Sequence, residues 1–159
     1  MLDDLRDLYQ EVILDHGRNP RNLRRPAEAN RHARGHNPMC GDSLVVHLTL
    51  DPGGIIRDVA FEGKGCAISV ASASLMTEVL KGKTRDQATA LFRRFHELCT
   101  SDEEDDGSSD EAGAVDPDDL DRLRVLSGVR AFPMRVKCAT LAWHTMAAAM
   151  NGEEEVSTE

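Results

Sequence analysis

The sequence predicts an α+β fold: a small antiparallel sheet of about three strands packed against several helices. Two observations predict it. Residues 43–50 alternate, with Leu44, Val46, Leu48 and Leu50 on one face and Val45, His47 and Thr49 on the other, the period of a half-buried strand. Around this stretch lie runs with apolar residues at three- and four-residue spacing, the period of amphipathic helices. The 159 residues suit one domain, 1–159, with a mobile acidic insertion at about 100–115.

The elements follow in order. Leu5, Leu8, Tyr9, Val12 and Ile13 form the buried stripe of a first helix, capped by Asp3 or Asp4 and ended by Gly17 and Asn19-Pro20. His16 sits at its C-terminal end, where a cation is favoured. Residues 17–36 are polar and arginine-rich and read as a solvated connection, although the stretch before Cys40 can add a third strand. Asp51-Pro52-Gly53-Gly54 is a turn between the strand at 43–50 and a second one at 55–61, so these two form an antiparallel hairpin with His47 facing solvent. The run after Cys66 is a helix rich in small residues and is stopped by Gly82. Thr84-Arg85-Asp86-Gln87 is a capping box that opens a third helix with Ala88, Leu91, Phe92, Phe95 and Leu98 inward. Asp116 as N-cap and Pro117 at N1 start a fourth helix, which buries Leu120, Leu123 and Leu126 and stops at Gly128. The last helix runs from about Arg135 to Met150, with Cys138, Leu141, Ala142, Thr145 and Ala149 on one face and Trp143 as a partly buried anchor. Glu153-Glu154-Glu155 is expected to fray.

Charge and composition exclude several classes. The net charge is −9, yet residues 101–121 alone hold eleven acids and no Lys or Arg, so seventeen acids face nineteen bases in the remainder. No basic stripe is interleaved with aromatics, which argues against nucleic acid as a partner. No apolar run is long enough to span a membrane, and the acidic start Met1-Leu2-Asp3-Asp4 lacks the pattern of a secretory signal. A cytoplasmic location is therefore expected, and in a reducing compartment cysteines are more often metal-binding or catalytic than disulfide-bonded.

Three cysteines have telling surroundings. Asn37-Pro38-Met39-Cys40-Gly41-Asp42 places a thiol and a carboxylate two residues apart, on one side of an extended backbone. Cys66 follows Gly63-Lys64-Gly65 at a helix start, where unpaired N–H groups lower a thiol pKa. Cys138 faces inward from the last helix. Cys40, Asp42, Cys66 and Cys138 together would suit a four-coordinate zinc or an iron–sulfur cluster with one weak ligand. Without a Cys-x-x-Cys pair, residue types alone leave a shared site and unrelated core thiols both open. His36 is a spare ligand candidate ranked below Asp42. His144, six residues after Cys138, lies on another helix face. Cys99 has no Gly or Asp companion and reads as structural.

The segments Asp15-His16-Gly17-Arg18-Asn19-Pro20, Asn37 to Asp42, Phe61 to Ser69 with Ala71-Ser72-Ala73-Ser74, and Val136 to Trp143 resemble the SufU family. This is the zinc-dependent sulfurtransferase branch of the IscU/NifU-like iron–sulfur cluster assembly proteins. Scaffold-type members usually carry histidine where this chain has Lys137, and SufU members carry an insertion between the second and third cysteines. The resemblance implies zinc at Cys40, Asp42, Cys66 and Cys138. It also implies a sulfur relay, with Cys40 taking persulfide sulfur from a SufS-like pyridoxal-phosphate cysteine desulfurase and passing it to the downstream SUF scaffold. Arg135 is the candidate for orienting the site or meeting the partner. The alternatives are a scaffold holding [2Fe-2S] or iron at the same residues, and a non-catalytic zinc module.

Because residues 101–114 offer almost nothing apolar to bury, their deletion is expected to leave the melting temperature and the zinc content unchanged. Calorimetry and metal analysis of the deletion variant check this.

Overall fold

The computed structural model describes residues 2–38, 41–100 and 115–157, with side chains from residue 10 to 156 within that span. Cys40 and the 101–114 insertion, whose mobility was the expectation, lie outside the described residues. A first helix, α1 (Leu2–Arg18), leads to the strands β1 (Arg31–Asn37), β2 (Asp42–Leu50) and β3 (Ile56–Lys64). Helices α2 (Ala67–Leu80), α3 (Arg85–Thr100) and α4 (Pro117–Leu123) follow, then a 3₁₀ segment (Arg124–Ala131), α5 (Pro133–Met150) and a short strand, β4 (Glu155–Ser157). The sheet order is β3-β2-β1-β4, with β1–β2 and β2–β3 antiparallel and β4 parallel to β1.

The hairpin register sets the two faces of the sheet. Ala33 opposes Val46, which opposes Phe61, and Leu48 opposes Val59; all five are buried. Asn37 pairs with Asp42 in the same register, so both belong to this inner face at its end. Helices α2 and α5 cover that face. Their approach depends on small side chains: the Ser72 hydroxyl donates to the Ala139 carbonyl and accepts from Trp143 Nε1 at 3.2 Å. Trp143, expected to be partly buried, is fully so, stacked on Phe95 with centroids 4.9 Å apart. Such an aromatic pair contributes about 0.5–1.5 kcal/mol beyond its buried area. Of the helix starts read from the sequence, those at Thr84 and Asp116 form as expected, whereas α1 already begins at Leu2, so Asp3 and Asp4 lie within its first turn and do not cap it. Thr84 N–H donates to Gln87 Oε1 while Gln87 N–H donates to Thr84 Oγ1, and the Asp116 carboxylate accepts from Asp118 N–H.

The structure corrects several local expectations. His16 is not a cation at a helix end. It is 6% exposed, and its Nδ1 accepts from the Ser74 hydroxyl at 2.7 Å, a hydroxyl that itself takes the Arg21 N–H. Burial, followed by the charge of Arg21, pushes its pKa below the ordinary value, which favours the neutral ring. His47 does not face solvent. Its Nε2–H donates to Glu62 at 2.8 Å, its Nδ1 shares a hydrogen bond with His32 Nδ1 at 2.6 Å, and the two neighbours cover it. Gly128 does not end the fourth helical stretch: α4 stops at Leu123 and the chain continues as 3₁₀ turns to Ala131. The acidic tail pairs instead of fraying, because backbone hydrogen bonding to the open edge of β1 is indifferent to side-chain polarity. Glu154 O accepts from Arg34 N–H at 2.8 Å. The polar connection likewise becomes strand from Arg31 onward.

The sign of the His16 effect gives a test. The ordinary histidine value is 6.5 and that of folded His16 is lower. Below pH 6.5 the unfolded chain therefore binds protons that the folded ring resists, so stability falls as pH drops from 6.5 toward the depressed folded value. Half-buried His144, also shifted down by desolvation, adds in the same direction. His16→Gln should show a shallower loss of melting temperature than the parent between pH 7.5 and 5.5; equal slopes would remove His16 from the account.

Candidate metal centre

The site lies where four elements end or begin at one end of the sheet. Asp42 opens β2 on the core-facing side and is 1% exposed. A carboxylate in that position must be compensated. Its Oδ1 accepts the Cys66 N–H at 2.8 Å, the first donor of the turn that begins α2. Cys66 is the N-cap of α2, and its Sγ accepts the Ser69 N–H at 3.4 Å. Cys66 Sγ lies 3.9 Å from Asp42 Oδ2. Cys138, on the buried face of α5, completes the trio, and ligand atoms of Asp42, Cys66 and Cys138 all lie within 4.8 Å of one another.

Two glycines make this convergence possible. Gly63 has φ +125°, and a Cβ there would run into the Ser43 carbonyl oxygen, so only glycine lets the end of β3 turn so close to the start of β2. A Cβ on Gly65 would sit 3.0 Å from Asp42 Oδ1 and 3.0 Å from Ser69 Oγ, tight against the site itself.

Of the residues singled out from sequence, Asp42, Cys66 and Cys138 come together, and Cys40 lies outside the described residues. Arg135 is exposed at the first turn of α5, and the charges of Cys66, first, and Cys138 raise its pKa, so a fixed cation stands at the sulfur cluster. His36 is exposed and on the opposite face of β1 from Asn37. His144 packs edge-on against Phe92, away from the trio. Cys99 is buried in α3 with its pKa pushed up to about 12 by burial, the state of an inert thiol. The sequence reading gave no role to Asn37, whose Nδ2 donates toward Cys138 Sγ at 3.8 Å, nor to Ser69. The register pairing of Asn37 with Asp42 is the signal for the first; nothing short of the packed structure marks the second.

The donor set fits a metal. A tetrahedral zinc with bonds of about 2.0–2.3 Å holds its ligand atoms about 3.3–3.8 Å apart, close to the 3.9 Å between Cys66 Sγ and Asp42 Oδ2. Beside the trio opens a cavity of about 880 Å³, lined by Cys66, Ile13, Ile68, Val129, Phe132 and Arg135 among others. Asp42 and Cys138 are buried, whereas Cys66 is half-buried on the wall of this cavity.

The NifU-like N-terminal domain family matches residues 8–112. The chain is 38% identical over 151 residues to the zinc-dependent sulfurtransferase SufU of Bacillus subtilis (strain 168), covering 95% of each protein. This chain belongs to the IscU/NifU-like family of iron–sulfur cluster assembly proteins. Within the family it is also 34% identical to the iron–sulfur cluster assembly scaffold protein IscU of Streptococcus pyogenes serotype M1, over 91% of this chain and 84% of that protein. Among solved structures it is similar to a putative iron–sulfur cluster assembly scaffold protein for the SUF system from Fervidobacterium islandicum AW-1. That match has a TM-score of 0.75 and 31% identity, and it covers 88% of this chain and 94% of the other. The α+β architecture is thus that of the IscU/SufU-like members.

The geometry separates the cysteines by role. If the trio holds a metal ion, Cys138→Ser should lower bound metal well below one equivalent. Cys99→Ala should leave metal content unchanged and cost about 1 kcal/mol of stability, the scale for losing one buried heavy atom. Metal analysis and denaturant titration of the two variants check both outcomes.

Proposed function

We propose that this protein binds zinc through Cys40, Asp42, Cys66 and Cys138 and works as a sulfur relay. Cys40 accepts sulfur from a pyridoxal-phosphate cysteine desulfurase and hands it to the cluster-assembly machinery. The observation that carries the reading is the convergence of Asp42, Cys66 and Cys138 within 4.8 Å, at the end of the β1–β2 hairpin whose connection contains Cys40. The sequence likeness to a zinc-dependent sulfurtransferase along nearly the whole of both chains supports it. So does Lys137, which stands where scaffold-type members usually carry histidine.

Bound zinc would keep the thiols as thiolates at neutral pH and shield them from adventitious chemistry. The protein's own residues do the rest. Cys66 is tied to the start of α2 by the Ser69 N–H, and Cys138 is fully buried in α5. Cys40, in a Pro-Met-Cys-Gly connection, is left as the sulfur acceptor. Its thiolate attacks the outer sulfur of the donor persulfide, the S–S bond breaks, and the donor cysteine leaves as a thiolate while Cys40 becomes the persulfide. Arg135 supplies a positive charge beside the sulfurs for the anions involved. The apolar cavity beside half-buried Cys66, bordered by Phe132 at 63% exposure, offers the donor's persulfide-bearing segment a path to the site.

The test is turnover with cysteine and the organism's own desulfurase. Cys40→Ser should abolish stimulation of alanine formation even in the fraction that retains zinc, whereas Asp42→Ala should lose activity in proportion to lost zinc. Mass spectrometry of the parent protein should find added sulfur on Cys40; sulfur on Cys66 or Cys138 with Cys40 unmodified would sink the assignment. Sulfide-dependent visible absorption in the anaerobically purified protein, without zinc, would favour the scaffold role instead.

A further inference from the structure

The Ser69 hydroxyl is an anomaly. Ser69 is 0% exposed, and its Oγ is buried with no hydrogen-bond partner among the described residues. Buried hydroxyls are nearly always paired, and leaving one unpaired costs about 1–3 kcal/mol. Ser69 lies in the first turn of α2, where a serine hydroxyl can bond back to the carbonyl four residues earlier, yet it does not. Its location points to a use. Ser69 Oγ and Asp42 Oδ1 are both 3.0 Å from the point where a Cβ on Gly65 would sit, so the absent Cβ leaves the two atoms flanking one small space. The Ser69 backbone N–H already serves the site through Cys66 Sγ.

We propose that Ser69 is a positioning residue for the metal centre: its hydroxyl donates to Asp42 Oδ1 when the site is loaded. Asp42 Oδ1 then holds the Cys66 N–H and the Ser69 O–H, while Oδ2, the oxygen on the sulfur side, is left to the metal. A carboxylate so held binds through one oxygen in a fixed direction. Hydrogen bonds that orient a ligand in this way typically contribute 10–100-fold to metal affinity. Gly65 has a second reason to be glycine, since a methyl group would fill the space the hydroxyl must cross. The inference rests on the zinc reading of the site and not on the sulfur relay.

The experiment is competition for zinc against a chromophoric chelator, with circular dichroism confirming that each variant folds. Ser69→Ala and Ser69→Val should weaken zinc binding roughly 10–100-fold. Ser69→Thr, which keeps the hydroxyl at the volume of valine, should stay within a few-fold of the parent. On an Asp42→Ala background, Ser69→Ala should cost nothing more, because the hydroxyl acts through that carboxylate. Parent-like affinity of Ser69→Ala, equal losses for threonine and valine, or an undiminished loss on the Asp42→Ala background would each overturn the proposal. A parent protein that binds no zinc would overturn it together with the zinc reading, whereas failed sulfur transfer with these affinities intact would overturn the relay alone.

Discussion

The Asp42 carboxylate, buried at the end of the core-facing side of the sheet, sets the terms for the structure around it. An ionised group there is tolerable only with close donors or a bound cation. The Cys66 N–H supplies one, and that single bond, 2.8 Å long, ties the start of β2 to the start of α2. The turn of β3 at Gly63, the glycine at 65 and the N-cap position of Cys66 follow from it, because the chain must bring a free helix-start N–H to that oxygen. Cys138 arrives from the other side because α5 lies across the same sheet face.

The rest of the molecule holds α2 and α5 in place. Helix α2 carries serines and alanines at its contacts, so α5 approaches closely enough for Trp143 to bond Ser72. On its other side, α1 is fastened through neutral His16 to Ser74, and Asn22 bonds Thr77 at 3.0 Å. One layer of helices thus braces one face of the sheet. The outer face is polar, yet ordered in its own way by the Glu62–His47–His32 chain across three strands.

This division leaves the site with both buried and accessible members. Asp42 and Cys138 are buried in rigid elements, and the half-buried Cys66 borders an apolar cavity with a guanidinium at its rim. A relay needs this asymmetry: two or three ligands that stay and a thiolate that can meet a donor. A purely structural zinc site needs no such opening. The excess acidity is concentrated in residues 101–121, a different stretch of sequence from the segments that hold Asp42, Cys66 and Cys138.

The sequence by itself determined the elements whose signals are local. The alternation at 44–50, the Asp51 to Gly54 turn, the Thr84–Gln87 capping box and the Asp116-Pro117 start all depend on neighbours in the chain, and all form as read. The short motifs around Asp42, Cys66 and Cys138 also marked the candidate ligands, by residue type and by resemblance. Only the tertiary structure decided what depends on distant partners. His16 and His47 look like surface histidines until Ser74 and Glu62 are brought to them across 58 and 15 residues. The acidic tail looks frayed until the open edge of β1 offers it hydrogen bonds, and the 3₁₀ turns past Gly128 form against a core that local propensity does not contain. The meeting of Asp42 with Cys138, and the unpaired Ser69 hydroxyl beside them, belong to this second kind, because burial and proximity between remote segments are properties of packing and not of any stretch of sequence.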